Sequence, residues 1–341
     1  MSSRDPLRVT LWVAGLILVT IVAALRPDAT AVALRATAGP FGTLAAIIAA
    51  AALAGRLGAF RILARALVPG RGPAAASAAA VLAFTAALSA LVNLDVAVVV
   101  AMPVALRAAR RQNLPAGRLS IAVAITANAT SFLLPTSNIT SLLLLHRRPL
   151  AATAYLGDSW LPWLLVTAVT VGSLAIWAGR RAPDTTIANS TAEPSAGALP
   201  DLIPMAGIAA AIRALLGTGL VLHGTLAGQL AAGSALAAAA DNLPAAAAIL
   251  PASTPGLWAA ILATTIGPNL LLTGSVATLI SRRIARDAGA RLSAWQFTAT
   301  GLALVPAQLA AAALGLHLTG DAQVTAYGAR VHVPSGIADG T

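Results

Sequence analysis

Cysteine is absent from the chain, and its absence rules out disulfides, thiolate metal sites and thiol chemistry. Lysine is absent as well, so all 22 basic residues are arginine. The four histidines, His146, His223, His317 and His332, are scattered without ligand spacing, which argues against a zinc site. Charge of either sign is scarce, at 10% of residues against about a quarter in a soluble domain. The net charge of +11 does not mark a nucleic-acid binder. The arginines sit in short loops between apolar runs, where membrane topology needs them.

What remains is oil. The chain is 58% hydrophobic with a mean hydropathy of +0.83, and apolar runs of 18 residues or more recur along it. The runs are continuous rather than alternating, which excludes a β-barrel. The expected fold class is therefore an all-α polytopic membrane protein. Membrane segments are read at 7–25, 39–60, 74–107, 119–145, 160–178, 201–222, 225–254, 257–283 and 295–316. At the N-terminus Arg4 and Arg8 precede a long apolar core with no small-x-small site just after it, which favours a transmembrane helix over a signal peptide.

Segment 74–107 is too long for one span. As a single helix it would measure ~50 Å against a ~30 Å hydrocarbon core. Arg56, Arg61, Arg65 and Arg71 precede it, and Arg107, Arg110, Arg111 and Arg118 follow it. The positive-inside rule wants both clusters in the cytoplasm, so the segment must return to the side it left. A re-entrant hairpin with Asn93-Leu94-Asp95 at its apex fits best. Carried along the chain, this topology puts sixteen arginines in the cytoplasm and five outside, with Arg213 left inside a span. The N-terminus is then cytoplasmic and the C-terminus external, in the plasma (inner) membrane.

The polar stretch 179–200 is read as a cytoplasmic linker between two halves with one plan. Residues 39–178 form the first repeat, with hairpin 74–107 and broken helix 119–145. Residues 201–316 form the second, with hairpin 225–254 and broken helix 257–283. Residues 1–38 supply an extra helix and an external loop, and 317–341 an external tail. The "TSFLLPTS" at Thr130–Ser137 matches "PNLLLTGS" at Pro268–Ser275 with an offset of 138, while the apices lie 149 apart. The first hairpin opens inward and the second outward, which is an inverted-topology repeat of the kind secondary transporters use for alternating access. Irregular backbone at membrane depth needs protein or a watery cavity around it, so both apices and both breaks are expected to meet in one site.

Asp95 and Asp241 are the leading candidates there. A carboxylate at the bilayer centre costs at least ~2.5 kcal/mol, and burial makes it a candidate proton carrier. The competing reading is a hydrated apex, or a carboxylate paired with helix N-termini. Asn93, Asn242, Asn128, Thr130, Ser131, Thr136, Ser137, Asn138, Pro268, Asn269, Thr273, Gly274 and Ser275 are the other expected lining residues. Their alternative role is polar glue between helices. Arg213 is a candidate charge partner for the carboxylates or for an anionic substrate, or it snorkels to the interface. Trp160, Trp163, Trp177 and Trp295 are read as an interfacial belt at helix ends.

The motifs "VNLDVAVVVAMPVAL", "TANATSFLLPTSNITSLLL", "DNLPAAAAIL" and "TIGPNLLLTGSVATLI", with "SAWQFTATG" after the last, resemble the arsenical-pump membrane protein family of the ion transporter superfamily. The resemblance runs over most of residues 39–316, in a shortened chain with Leu94 between Asn93 and Asp95. It implies export of arsenite or antimonite driven by a proton gradient or the membrane potential, and in some systems an ATPase partner. Protons or sodium are the coupling ions it suggests, and a homodimer is an expected assembly. Without cysteine, arsenite would be held as a hydroxylated species by polar groups. The alternatives are a sodium–proton antiporter or a small organic-anion (dicarboxylate-like) carrier of the same superfamily, or a membrane scaffold that transports nothing. A serine enzyme built on Gly274-Ser275 lacks a histidine at depth to act as its base, so no enzyme is expected.

Overall fold

A computed structural model describes residues 6–68, 72–180, 202–217 and 219–330. Much of the linker and the end of the tail lie outside them, as do Arg4, Arg71 and Arg181. The regular structure among the described residues is helical, apart from one isolated bridge between Leu220 and Ile249. The chain is an all-α polytopic membrane protein.

Helix α1 (Pro6–Leu25) is followed by α2 (Pro27–Arg56) and a short α3 (Ala59–Leu67). The expected external loop before residue 39 is instead the first third of α2. Pro27 opens that helix where its missing N–H costs nothing, and Asp28 sits in the first turn against the dipole. The first hairpin is α4 (Ala74–Leu91) and α5 (Leu94–Gln112), joined at Val92-Asn93. The first broken segment is α6 (Ala116–Ala129), a 3-10 turn at Pro135–Ser137, and α7 (Ile139–Arg147). A long helix α8 (Ala152–Gly179) closes the first half.

The second half opens with α9 (Leu202–Leu216). Its hairpin is α10 (Leu226–Ala240) and α11 (Asn242–Ala248). Its broken segment is α12 (Thr254–Ile266), a 3-10 turn at Gly267–Leu270, and α13 (Val276–Asp287). The last helix, α14 (Ala294–Arg330), continues past the expected end of the span at 316 into the expected tail. Among the described residues, α4, α8 and the Ala294–Thr319 part of α14 are each long and apolar enough to cross a bilayer.

The two halves exchange parts. One core gathers α4, α5 and α6 with α13, taking Ala277, Ile280 and Ile284 from the second half. The other gathers α11 and α12 with α7 and α8, taking Leu144, Tyr155 and Val166 from the first. A smaller cluster of Val22, Ala33, Ala210, Ala211 and Ala214 joins α1, α2 and α9. Apolar area alone does not hold helices together in lipid, so close approach must. At Gly301 of α14 a Cβ would lie on the Asn269 carbonyl oxygen, and at Gly267 it would meet Ser234.

Candidate substrate site

Four short sequences that look unalike do the same local job. Asn93, Asn138, Asp241 and Ser275 are the N-caps of α5, α7, α11 and α13. Asn93 Oδ1 accepts the Asp95 N–H at 2.7 Å, Asn138 Oδ1 that of Thr140 at 3.0 Å, and Asp241 Oδ1 that of Leu243 at 3.0 Å. Ser275 holds the cap position without a side-chain bond. By capping role Asp241 therefore corresponds to Asn93. Asp95, two residues further on, corresponds to Leu243. The two carboxylates are not equivalents of one another.

These four helix starts surround one cavity of about 40 Å³. Its polar lining is Asp95, Asn138, Thr140, Asp241, Asn242 and Ser275. The remaining lining is apolar and includes Phe41, contributed by α2. The space has room for about three waters, since one water needs roughly 10–15 Å³ by this measure. Each helix N-terminus presents roughly half a positive charge, less for the two-turn α11. Against that partial positive field stand the two carboxylates, close enough to repel one another. Among the described residues, no arginine lines the cavity.

Asp241 is the more tightly held of the pair. Its φ of 73° with ψ of 148° lies in a region that costs a non-glycine residue of order 1–3 kcal/mol. The surroundings enforce it. The Leu243 and Val276 N–H groups both donate to its carboxylate, and the Asn242 N–H donates to the Gly274 carbonyl at 3.0 Å. The second apex is thereby bonded to the second break.

Behind the cavity a buried amide network ties the two breaks together. Asn128 Nδ2 donates to Asn269 Oδ1 and to Thr278 Oγ1, both at 3.0 Å, and Asn269 Nδ2 donates to the Ile125 carbonyl at 3.2 Å. Asn138 Nδ2 donates to Ser131 Oγ at 3.0 Å, closing the first break on itself. Ser137 Oγ donates to the Ala90 carbonyl at 2.5 Å, and Ser89 Oγ to that of Ala127 at 2.6 Å, fixing the first hairpin to the first broken segment. The carbonyls left free by the break are taken up by α8. Tyr155 Oη donates to Phe132, Ser159 Oγ to Leu133 and Trp163 Nε1 to Thr130, at 3.0, 2.8 and 2.9 Å.

The sixteen expected residues thus divide. Asp95, Asn138, Asp241, Asn242 and Ser275 line the cavity. Asn93 caps the helix that carries Asp95. Asn128, Thr130, Ser131, Ser137, Pro268, Asn269 and Gly274 are buried behind the cavity as the frame. Thr136 and Thr273 are exposed and do not reach it. Arg213 lies in the last turn of α9, and the charge it faces is Arg147 rather than a cavity carboxylate. Trp160 and Trp163 sit inside α8 rather than at its end, because that helix begins at Ala152.

Sequence reasoning missed Phe41 and Thr140 as lining, and Tyr155, Ser159 and Trp163 as supports. It also missed two arginine staples. Arg147, at the end of α7, donates to the Ile249 carbonyl at 2.7 Å and to that of Ala247, at the C-terminus of α11. Arg110, on α5, donates at 3.3 Å to the carbonyl of Ala288, the C-cap of α13. In each case an arginine binds the far end of a helix whose start faces the cavity, where a cation suits the negative dipole end.

No curated protein matches the chain. A family model described as a citrate transporter, CitMHS, matches residues 4–277, which takes in both hairpins and both breaks. The cavity is walled by four helix starts and two carboxylates. The chain belongs to the citrate transporter family of secondary membrane transporters.

Proposed function

We propose that the chain carries a small carboxylate anion of the citrate type through the cavity between the four helix starts, by alternating access. The observation that carries this reading is the opposition of helix N-termini to Asp95 and Asp241 in one cavity. With both carboxylates ionised, their charge roughly cancels the dipole field and repels an anion. With both protonated, the N-termini face the cavity unopposed and the carboxyl groups become donors. Anion binding is therefore linked to proton binding, and the two move together. The family's description as citrate transporters supports the substrate class.

The two halves serve as inverted repeats. The breaks lie midway along α6–α7 and α12–α13, so apices that meet them sit at mid-depth, as re-entrant hairpins do. The sixteen-to-five arginine split supports a cytoplasmic N-terminus, and on this reading the carrier sits in the plasma membrane. A second reading, export of arsenite or antimonite, draws on the small size of the cavity and its lack of an arginine.

Proteoliposomes with an imposed pH gradient separate these readings. Labelled citrate should accumulate on the alkaline side, and a protonophore should abolish the uptake. Arsenite movement with no citrate movement would sink the organic-anion reading.

A further inference from the structure

We infer that Thr140 reads the transported anion, with its hydroxyl donating to a substrate carboxylate. The inference rests on the organic-anion reading above and names a residue that selects the substrate. Thr140 is 1% exposed and lines the cavity, and its Oγ1 has no hydrogen-bond partner. A buried hydroxyl without a partner is destabilising, and valine of the same shape would avoid that cost.

Most other buried threonines show how this protein meets that cost. Thr85, Thr130, Thr264 and Thr265 each donate to the carbonyl four residues back, at 2.8 Å. Thr140 has no such outlet. It is the second residue of α7, and the chain before it is the 3-10 turn and the extended cap at Asn138. Its backbone N–H is already taken by Asn138 Oδ1, so only the hydroxyl is left to act. Other buried hydroxyls lack partners among the described residues, namely Ser120, Thr126, Thr167 and Ser234, but of the set only Thr140 faces the cavity.

Two of its polar neighbours there are committed in a way it is not. Asn138 spends its amide on Thr140 and Ser131, and Asp241 its carboxylate on Leu243 and Val276. Ser275, the cap of α13, makes no capping bond and lines the cavity with Asn242. Thr140 and Ser275 thus bring two hydroxyls to the cavity from two half-helices on opposite repeats. Donors without a fixed charge suit an anion that must also be released.

The test uses the full-length chain in proteoliposomes, with citrate as the probe and Thr140→Val, Thr140→Ala and Thr140→Ser compared with wild type. Removing the hydroxyl should raise KM for citrate about tenfold while the maximal rate stays within about twofold, since one hydrogen bond to a charged group is lost. Thr140→Ser should restore wild-type KM. Citrate should also raise the Tm of purified wild type and of the serine variant, but not of the valine variant at the same concentration. Thr140→Ala carries the same reading if Thr140→Val does not reach the membrane. A wild type that transports citrate, beside a folded valine or alanine variant of unchanged KM, overturns the assignment of Thr140 alone. A wild type that moves no carboxylate overturns the organic-anion reading and this inference with it.

Discussion

The two halves of the molecule carry the same four-part plan but not the same second hairpin arm. α5 has 19 residues and α11 only 7, while α6 and α12 are nearly equal at 14 and 13. The shortening therefore falls on the part of the arm furthest from the cavity. The start of each arm, with its cap and its place at the site, is kept in both halves. What the plan preserves is the helix start; the helix body serves to hold it there. In the first half a long body brings Arg110 to the end of α13. In the second a stub is held at its own end by Arg147 from α7.

The largest effect expected from breaking this comparison is at the two carboxylates. Asp241 is a cap with two N–H donors on its carboxylate, whereas Asp95 is a first-turn residue whose backbone is capped by Asn93. Asparagine remains a good cap, so Asp241→Asn should leave Tm near wild type and slow proton-driven uptake on the order of a hundredfold. Asp95→Asn should slow it less, by roughly tenfold. Equal losses in the two variants, read as initial uptake rates, would mean that the carboxylates share one role after all.

The staples should follow in order of bonds lost. Arg147→Met strands two carbonyls at the end of a seven-residue helix and should cost about 2–3 kcal/mol in denaturant unfolding of the purified protein. Arg110→Met loses one longer bond on a helix with many other contacts and should cost about 1 kcal/mol or less. A larger cost at Arg110 would show that α11 does not depend on its clamp.

The smallest contrast lies in two serines, one on the first arm of each hairpin. Ser89 donates to the Ala127 carbonyl at 2.6 Å, while Ser234 is buried with a bare hydroxyl. Ser89→Ala should lower stability by about 1 kcal/mol. Ser234→Ala should leave it unchanged or raise it slightly, both read as shifts in Tm.

The features legible in the sequence were those with no bland explanation. A carboxylate in an oily run, and Pro, Gly and Asn clusters inside spans, stand out at any position, and they led to Asp95, Asp241 and both breaks. Phe41 and Thr140 were not legible, because an aromatic ring or a threonine in an apolar helix reads as core until its neighbours are known. Tyr155, Ser159 and Trp163 were hidden differently. Their partners are backbone carbonyls some 23 to 33 residues away, and a carbonyl leaves no mark on the sequence. The start of α2 was missed because Pro27, Asp28, Arg35 and Pro40 punctuate it like a loop. Its alanines are strong helix formers, and Pro27 falls where a helix tolerates it. The offset of the apices was legible to within one residue, because asparagine matched asparagine where the caps pair asparagine with aspartate.

The exchange of α7 and α13 between the two cores bears on how the chain is made. When α6 has left the ribosome, α13, which packs against it in the finished core, has not yet been made. α13 ends 158 residues after α6, a delay of roughly 8–30 s at ordinary synthesis rates. For that interval the nascent first half stands in the bilayer with its amides at Asn128 unpaired, a window in which a quality-control protease or an insertion chaperone meets an unfinished molecule.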